Sequence, residues 1–207
     1  MHRRVPRLLL ATATTAVTAL ATLLLTTGPA HAAPFLNASY PINGSTHIKA
    51  TNSDLPLGPG TLAATLDLAT GSVTGSVTLP PSTGSFTELG FIPVQATTEF
   101  VEAQPTTGTV DLNTGATQTE SHITIRITSL KVAGLPVPVG DGCETKSPAV
   151  IDLASQPGFN VLNGGVVAGT YTIPDFHDCL LNTGIINLII PGDGNTISLT
   201  LGPAVIG

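Results

Sequence analysis

The sequence predicts an all-β protein, a β-sandwich as the first reading and a small closed β-barrel as the second, with at most one short helix near residues 180–190. Three observations carry this. Apolar residues alternate with Thr and Ser over short runs, the pattern of strands with one buried face. Gly, Pro, Asn and Asp separate those runs at regular intervals, as turns do. Charged residues make up only 10% of the chain while Val, Ile and Leu stay frequent, which suits polar uncharged faces over a core rather than disorder.

The first 32 residues stand apart. His2, Arg3, Arg4 and Arg7 precede an apolar run from Leu8 to Leu25, and Ala30-His31-Ala32 closes it, so residues 1–32 are expected to be a secretory signal peptide. The run approaches membrane-spanning length, but its five threonines and small-residue exit favour cleavage over an anchor. Arg3-Arg4 is followed by Val5-Pro6, which reads as an ordinary basic start rather than twin-arginine export. No cysteine adjoins the cleavage point, which excludes a lipoprotein anchor. Three arginines leave with this leader, so four basic residues face thirteen acidic ones and the mature net charge is −9. Nucleic acid and anionic headgroups need a basic footprint and are therefore not expected as partners.

Residues 33–54 show little periodicity and read as an extended N-terminal arm, with residues 55–207 as a single sandwich domain. In 61–68, Leu62, Ala64, Leu66 and Leu68 share a face; in 72–79, Val73, Gly75, Val77 and Leu79 do. The two runs form a hairpin whose other face is Thr, Ser and Asp. Residues 91–94 and 98–101 supply strands with a bend at Pro93. Residues 109–112 lead into a second hairpin whose far side carries Ile123, Ile125 and Ile127, alternating with His122, Thr124, Arg126 and Thr128. Leu135-Pro136-Val137-Pro138 is an extended connector. Strands follow at 149–154 and 166–173, with Asn163-Gly164-Gly165 as the turn between. In 180–190, apolar residues at 181, 185, 188 and 189 fit one helix face, with Asn182, Thr183 and Asn187 opposite, and Pro191-Gly192 stops the helix. Asp193-Gly194-Asn195 then turns into the final strand at 196–201.

The hairpins share a repeat, Asp67-Leu68-Ala69-Thr70-Gly71 and Asp111-Leu112-Asn113-Thr114-Gly115, spaced 44 residues apart. Each fits a three-residue loop in which Gly71 or Gly115 supplies a positive φ at a bulge, and the aspartates merely precede the turn. An acidic active site built from the pair is disfavoured, because strand alternation places Asp67 on the wet face. Gly194 is read as a third turn glycine.

Cys143 and Cys179 are the only cysteines, and in an exported chain they are expected to form a disulfide. Catalytic motifs are missing. Gly71-Ser72-Val73-Thr74-Gly75 has its serine one place too early for a nucleophile elbow. Glu99 and Glu102 fall on opposite strand faces. His47, His122 and His177 stand outside any motif. His177, flanked by Asp175 and Asp178, has too few neighbours for a cation site and reads as a loop brace. Asp193-Gly194-Asn195 lacks the later ligands of a calcium loop. No phosphate loop, zinc motif or other cofactor signature occurs, so no catalytic residue, metal ligand or cofactor is assigned. With no tryptophan and 4% aromatic residues, neither a sugar-stacking platform nor a membrane-barrel girdle is expected.

Tyr171-Thr172-Ile173-Pro174-Asp175-Phe176-His177-Asp178-Cys179, with the segment from Ile190-Pro191-Gly192 to Leu199-Thr200-Leu201, resembles a group of secreted actinobacterial β-rich proteins. That group pairs an IPxFxxC segment with an IPGxGNTxxLTL ending. The resemblance covers mainly the last 40 residues and implies an extracytoplasmic location without transferring an activity. The functional expectation is an exported, non-enzymatic protein acting at the envelope or outside the cell, binding an envelope polymer or a partner protein. The alternative is a carrier holding an apolar ligand between its sheets, with Ile123, Ile125, Ile127 and residues 180–190 near the mouth. A hydrolase comes third.

Overall fold

A computed structural model describes residues 34–207; the expected signal peptide lies outside the described residues. The strands are β1 (Phe35–Ile48), β2 (Ser53–Asp67), β3 (Ser72–Thr78), β4 (Ser82–Glu88), β5 (Ile92–Val110), β6 (Thr117–Val132), β7 (Leu135–Val137), β8 (Glu144–Thr145), β9 (Ala149–Ser155), β10 (Gly165–Ile173), β11 (Phe176–His177), β12 (Gly192–Leu201) and β13 (Val205–Ile206). Between β11 and β12 lie a 3-10 turn, Leu180–Asn182, and the one α-helix among the described residues, α1, Thr183–Ile189.

Eight of these strands, β1, β2, β3, β5, β6, β9, β10 and β12, close into an antiparallel barrel. Each pairs with the next of the eight in chain order. The ring shuts where β1 meets β12, from Ile42 opposite Leu201 to His47 opposite Thr196. Of the two arrangements that the alternation allowed, the structure therefore takes the closed barrel rather than the sandwich. Both use strands with one apolar face, and only this pairing between the first and last strands separates them.

The inward faces supply the core. Ala38, Tyr40 and Ile42 of β1, Ile123, Ile125 and Ile127 of β6, Tyr171 and Ile173 of β10, and Ile197, Leu199 and Leu201 of β12 are all buried in one cluster. Every buried polar residue among those described is uncharged, and hydrogen bonds satisfy them. Thr46 Oγ1 meets the Tyr171 hydroxyl at 2.7 Å, and Thr106 and Ser121 pair at 2.7 Å. Burial pushes the phenols of Tyr40 and Tyr171 up, so both stay neutral at physiological pH. Asn195, almost wholly buried, receives the Lys49 amide and donates to the Tyr171 and Gly192 carbonyls, fastening β12 to its neighbours.

Residues 33–54 are not an arm. From Phe35 they form β1, a full barrel strand, and β2 begins at Ser53. The pattern is obscured because inward positions hold Ala38, Tyr40 and Thr46 instead of uniformly aliphatic residues. In β2 a register shift opposite Ile42 and Gly44 changes the inward set from Ser53, Leu55 and Leu57 to Leu62, Ala64 and Leu66. The two strands expected over 91–94 and 98–101 are one long strand, β5, which starts at Ile92 and in which Pro93 pairs with Thr87 of β4 without breaking it. Leu135–Val137 is more than a connector, since it pairs with β6.

The barrel has two distinct ends. At one lie the turns at 68–71 and 111–116, the 156–164 loop and both described termini. At the other, called here the helix end, lie the β4–β5 and β6–β7 tips, the disulfide and α1.

Candidate binding groove

The repeated turns sit side by side: the Val110 amide donates to the Gly71 carbonyl at 2.7 Å. Both glycines have the positive φ that the repeat implied, 76° at Gly71 and 77° at Gly115. The aspartates do more than precede the turn. Asp67 Oδ1 accepts the Ala69 amide at 2.8 Å; Asp111 Oδ1 accepts those of Asn113 at 2.8 Å and Thr114 at 3.1 Å. These amides hold both carboxyls below the usual carboxylate range, so each charge is committed to its own turn. Gly194 also has positive φ, 76°, but it lies within β12. It forms a bulge facing Tyr171–Ile173 of β10 instead of the hairpin turn that Asp193-Gly194-Asn195 suggested.

The other candidate residues serve the wall. Glu102 takes the amides of Val77 and Thr106 and the hydroxyls of Ser76 and Thr106, filling the gap where β3 leaves β5. Glu99 and Glu144 flank Arg126 at 3.7 and 2.8 Å. Each described histidine meets one carboxylate: His47 with Asp54, His122 with Glu120, and His177 with Asp178. Asp175 turns instead toward Lys146, so His177 and its two nearby aspartates do not converge. No cluster of metal-ligating side chains occurs among the described residues. Cys143 and Cys179 form the disulfide and are fully buried. It ties the approach to β8 to the turn before α1.

α1 is where the structure departs most from a simple amphipathic reading. The apolar face at 181, 185, 188 and 189 ought to pack inward, yet Leu181 is fully exposed, Leu188 is 84% exposed and only Ile186 is buried. The polar residues hold the segment down. Asn187 accepts the Phe176 amide at 2.7 Å and donates to the Phe176 carbonyl at 3.0 Å, copying a strand pair. Asn182 donates to the Pro138 carbonyl, and Thr183 Oγ1 receives the Cys179 amide. The segment is attached by its polar groups and by Ile186, and presents most of its other aliphatic side chains outward.

Beside that outward face runs a groove of about 480 Å³, bounded by α1, the β4–β5 tip and the β6–β7 hairpin. Phe86, Val94, Leu130, Val132 and Ile189 line it, and Glu88 is its one charged lining residue. Leu89, Phe91, Leu135 and Leu181 stand exposed at the same end. By contrast, two cavities lined by the barrel's inward side chains measure about 40 and 90 Å³. The expected mouth of an internal site is therefore divided: Ile123, Ile125 and Ile127 are packed in the core, while residues 180–190 border the external groove.

Leu89, Phe91 and Leu135 did not stand out as binding candidates in the sequence. Their signal was a large apolar residue beside a turn glycine, as in Leu89-Gly90-Phe91 and Gly134-Leu135, where polar residues ordinarily sit. Among the described residues, no helix is long and apolar enough to cross a membrane. No family model, curated protein or solved structure matches the chain.

Proposed function

We infer that the protein is an exported, non-enzymatic binding protein, and that it binds an apolar ligand in the groove at the helix end. The observation that carries this is the inverted segment around α1, which gives Ile186 to the core but turns Ile185, Leu188 and Ile189 to a 480 Å³ groove. A volume of that size falls in the range of about 300–1,000 Å³ typical of small-ligand sites, whereas the interior cavities are well below it. The groove therefore supports the binding reading better than a carrier with its ligand inside the barrel. Its aliphatic lining offers a hydrophilic wall polymer few hydrogen-bonding groups. Export is supported by the leader pattern, by the buried disulfide and by the resemblance to secreted actinobacterial proteins.

The test is titration with a fluorescent single-chain amphiphile. Saturable binding at one site per chain is expected, and Ile185→Asp should weaken it by roughly tenfold or more while leaving the melting temperature unchanged, because a carboxylate would face an apolar groove. Absence of saturable binding, or indifference to Ile185→Asp, would remove the reading.

A further inference from the structure

We propose that the helix end docks on a lipid surface of zero net charge, with one acyl chain entering the groove; this deepens, and rests on, the reading of the groove as the binding surface.

The backbone is one argument. All five described non-glycine residues with positive φ, Asn52, Leu89, Ala133, Asp178 and Leu180, lie at the helix end. Asn and Asp tolerate this conformation because their side chains bond locally, but leucine has no such compensation. Leu89 and Leu180 are also exposed, so burial within the chain does not offset their conformation. Bulky apolar side chains held in an unfavourable geometry and facing water are placed for a contact outside the molecule.

The shape of the patch selects the occupant. Leu89, Phe91, Leu135, Leu181 and Leu188 project from three separate segments around the groove. A soluble ligand filling the groove would cover its lining, Leu89 and Leu188 included, and leave Phe91, Leu135 and Leu181 in water. A lipid surface covers both, since the tips can enter the interface while the groove takes a chain.

Charge selects the lipid. Among the described residues the lining contains one carboxylate, Glu88, and no cation. Beyond the leader the chain carries thirteen acidic residues against four basic ones. An anionic surface would repel the molecule at long range and find no counter-charge in the groove. A zwitterionic or uncharged surface avoids both penalties.

The experiment is co-sedimentation of the protein, freed of its leader, with phosphatidylcholine vesicles and with vesicles in which part of the lipid is anionic phosphatidylglycerol. The described barrel core lies within residues 34–207, a compact unit separate from residues 1–32. Binding to phosphatidylcholine is expected, and weaker binding to the anionic vesicles at low salt, with the difference shrinking as salt screens the repulsion. Leu181→Ser with Leu188→Ser should lower partitioning by roughly tenfold or more. Phe35→Ser with Leu162→Ser, exposed sites at the opposite end, should not change it. If the protein ignores vesicles yet binds monomeric lysophosphatidylcholine, lipid docking is overturned while the binding reading stands. If it binds neither, both fall. Tighter binding to the anionic vesicles, or a stable dimer abolished by Leu181→Ser with Leu188→Ser, also overturns docking.

Discussion

Gly71 and Gly115 occupy equivalent places in the repeated turns and share the same φ, but their surroundings differ. A Cβ on Gly71 would overlap the Val110 carbonyl oxygen, whereas one on Gly115 would meet nothing within 4 Å. Gly115→Ala should therefore cost only the left-handed conformation, about 1–2 kcal/mol. Gly71→Ala adds a clash with fixed backbone and should cost at least about twice as much, because the neighbouring turn must shift. Urea unfolding of the two variants checks this, and equal losses would mean that the adjacent turns do not constrain one another. The repeat made both glycines legible, since a positive φ is a local property that Asp-Leu-x-Thr-Gly encodes. Their unequal environments were not legible, because Val110 reaches Gly71 only through the pairing of β3 with β5.

Among the elements, α1 shows the limit of periodicity. The apolar spacing in 180–190 located the helix, yet a stripe of aliphatic residues does not say whether the core or the solvent receives it. Attachment through Asn182, Thr183 and Asn187 depends on Phe176 and Pro138, which the fold brings close. Asn187→Leu would make the segment more apolar but leave the Phe176 amide and carbonyl unpaired. It should destabilise by about 1–3 kcal/mol. Leu188→Ala, at an exposed site, should change stability by less than about 0.5 kcal/mol. Thermal unfolding of the pair distinguishes the two forms of attachment: a larger loss for Leu188→Ala would show that the aliphatic face anchors the helix. β1 illustrates the converse, a barrel strand whose Ala, Tyr and Thr positions made it read as an arm.

For the whole molecule, alternating strands, turn glycines and low charge sufficed for the all-β class, but closure did not follow from them. It depends on β1 meeting β12 across almost the full chain, and sequence alternation is the same whether that seam is open or shut. The groove was hidden for a related reason, being assembled from β4, β5, β6, β7 and α1. The disulfide fastens this assembly by linking positions 36 residues apart. Loop closure of that length contributes about 3–4 kcal/mol. Cys143→Ala with Cys179→Ala should consequently lower Tm on the order of 10 °C, given roughly 2–4 °C per kcal/mol in a domain of this size. A calorimetric shift of only a degree or two would assign the order of this end to Asn187 and the strand pairs instead.

The two chain ends share a third feature with the repeated turns, their position. Gly207 donates its amide to Asn37 at 3.2 Å, and Leu68 donates to Pro34 at 3.0 Å, so the two ends of the described residues meet at the face of the barrel remote from α1. A tag or fusion joined after Gly207 is thus a handle on the blunt end. Molecules captured through it on a sensor chip would stand with their leucine-tipped ends pointing into the flow, uniformly oriented and free to meet whatever is passed over them.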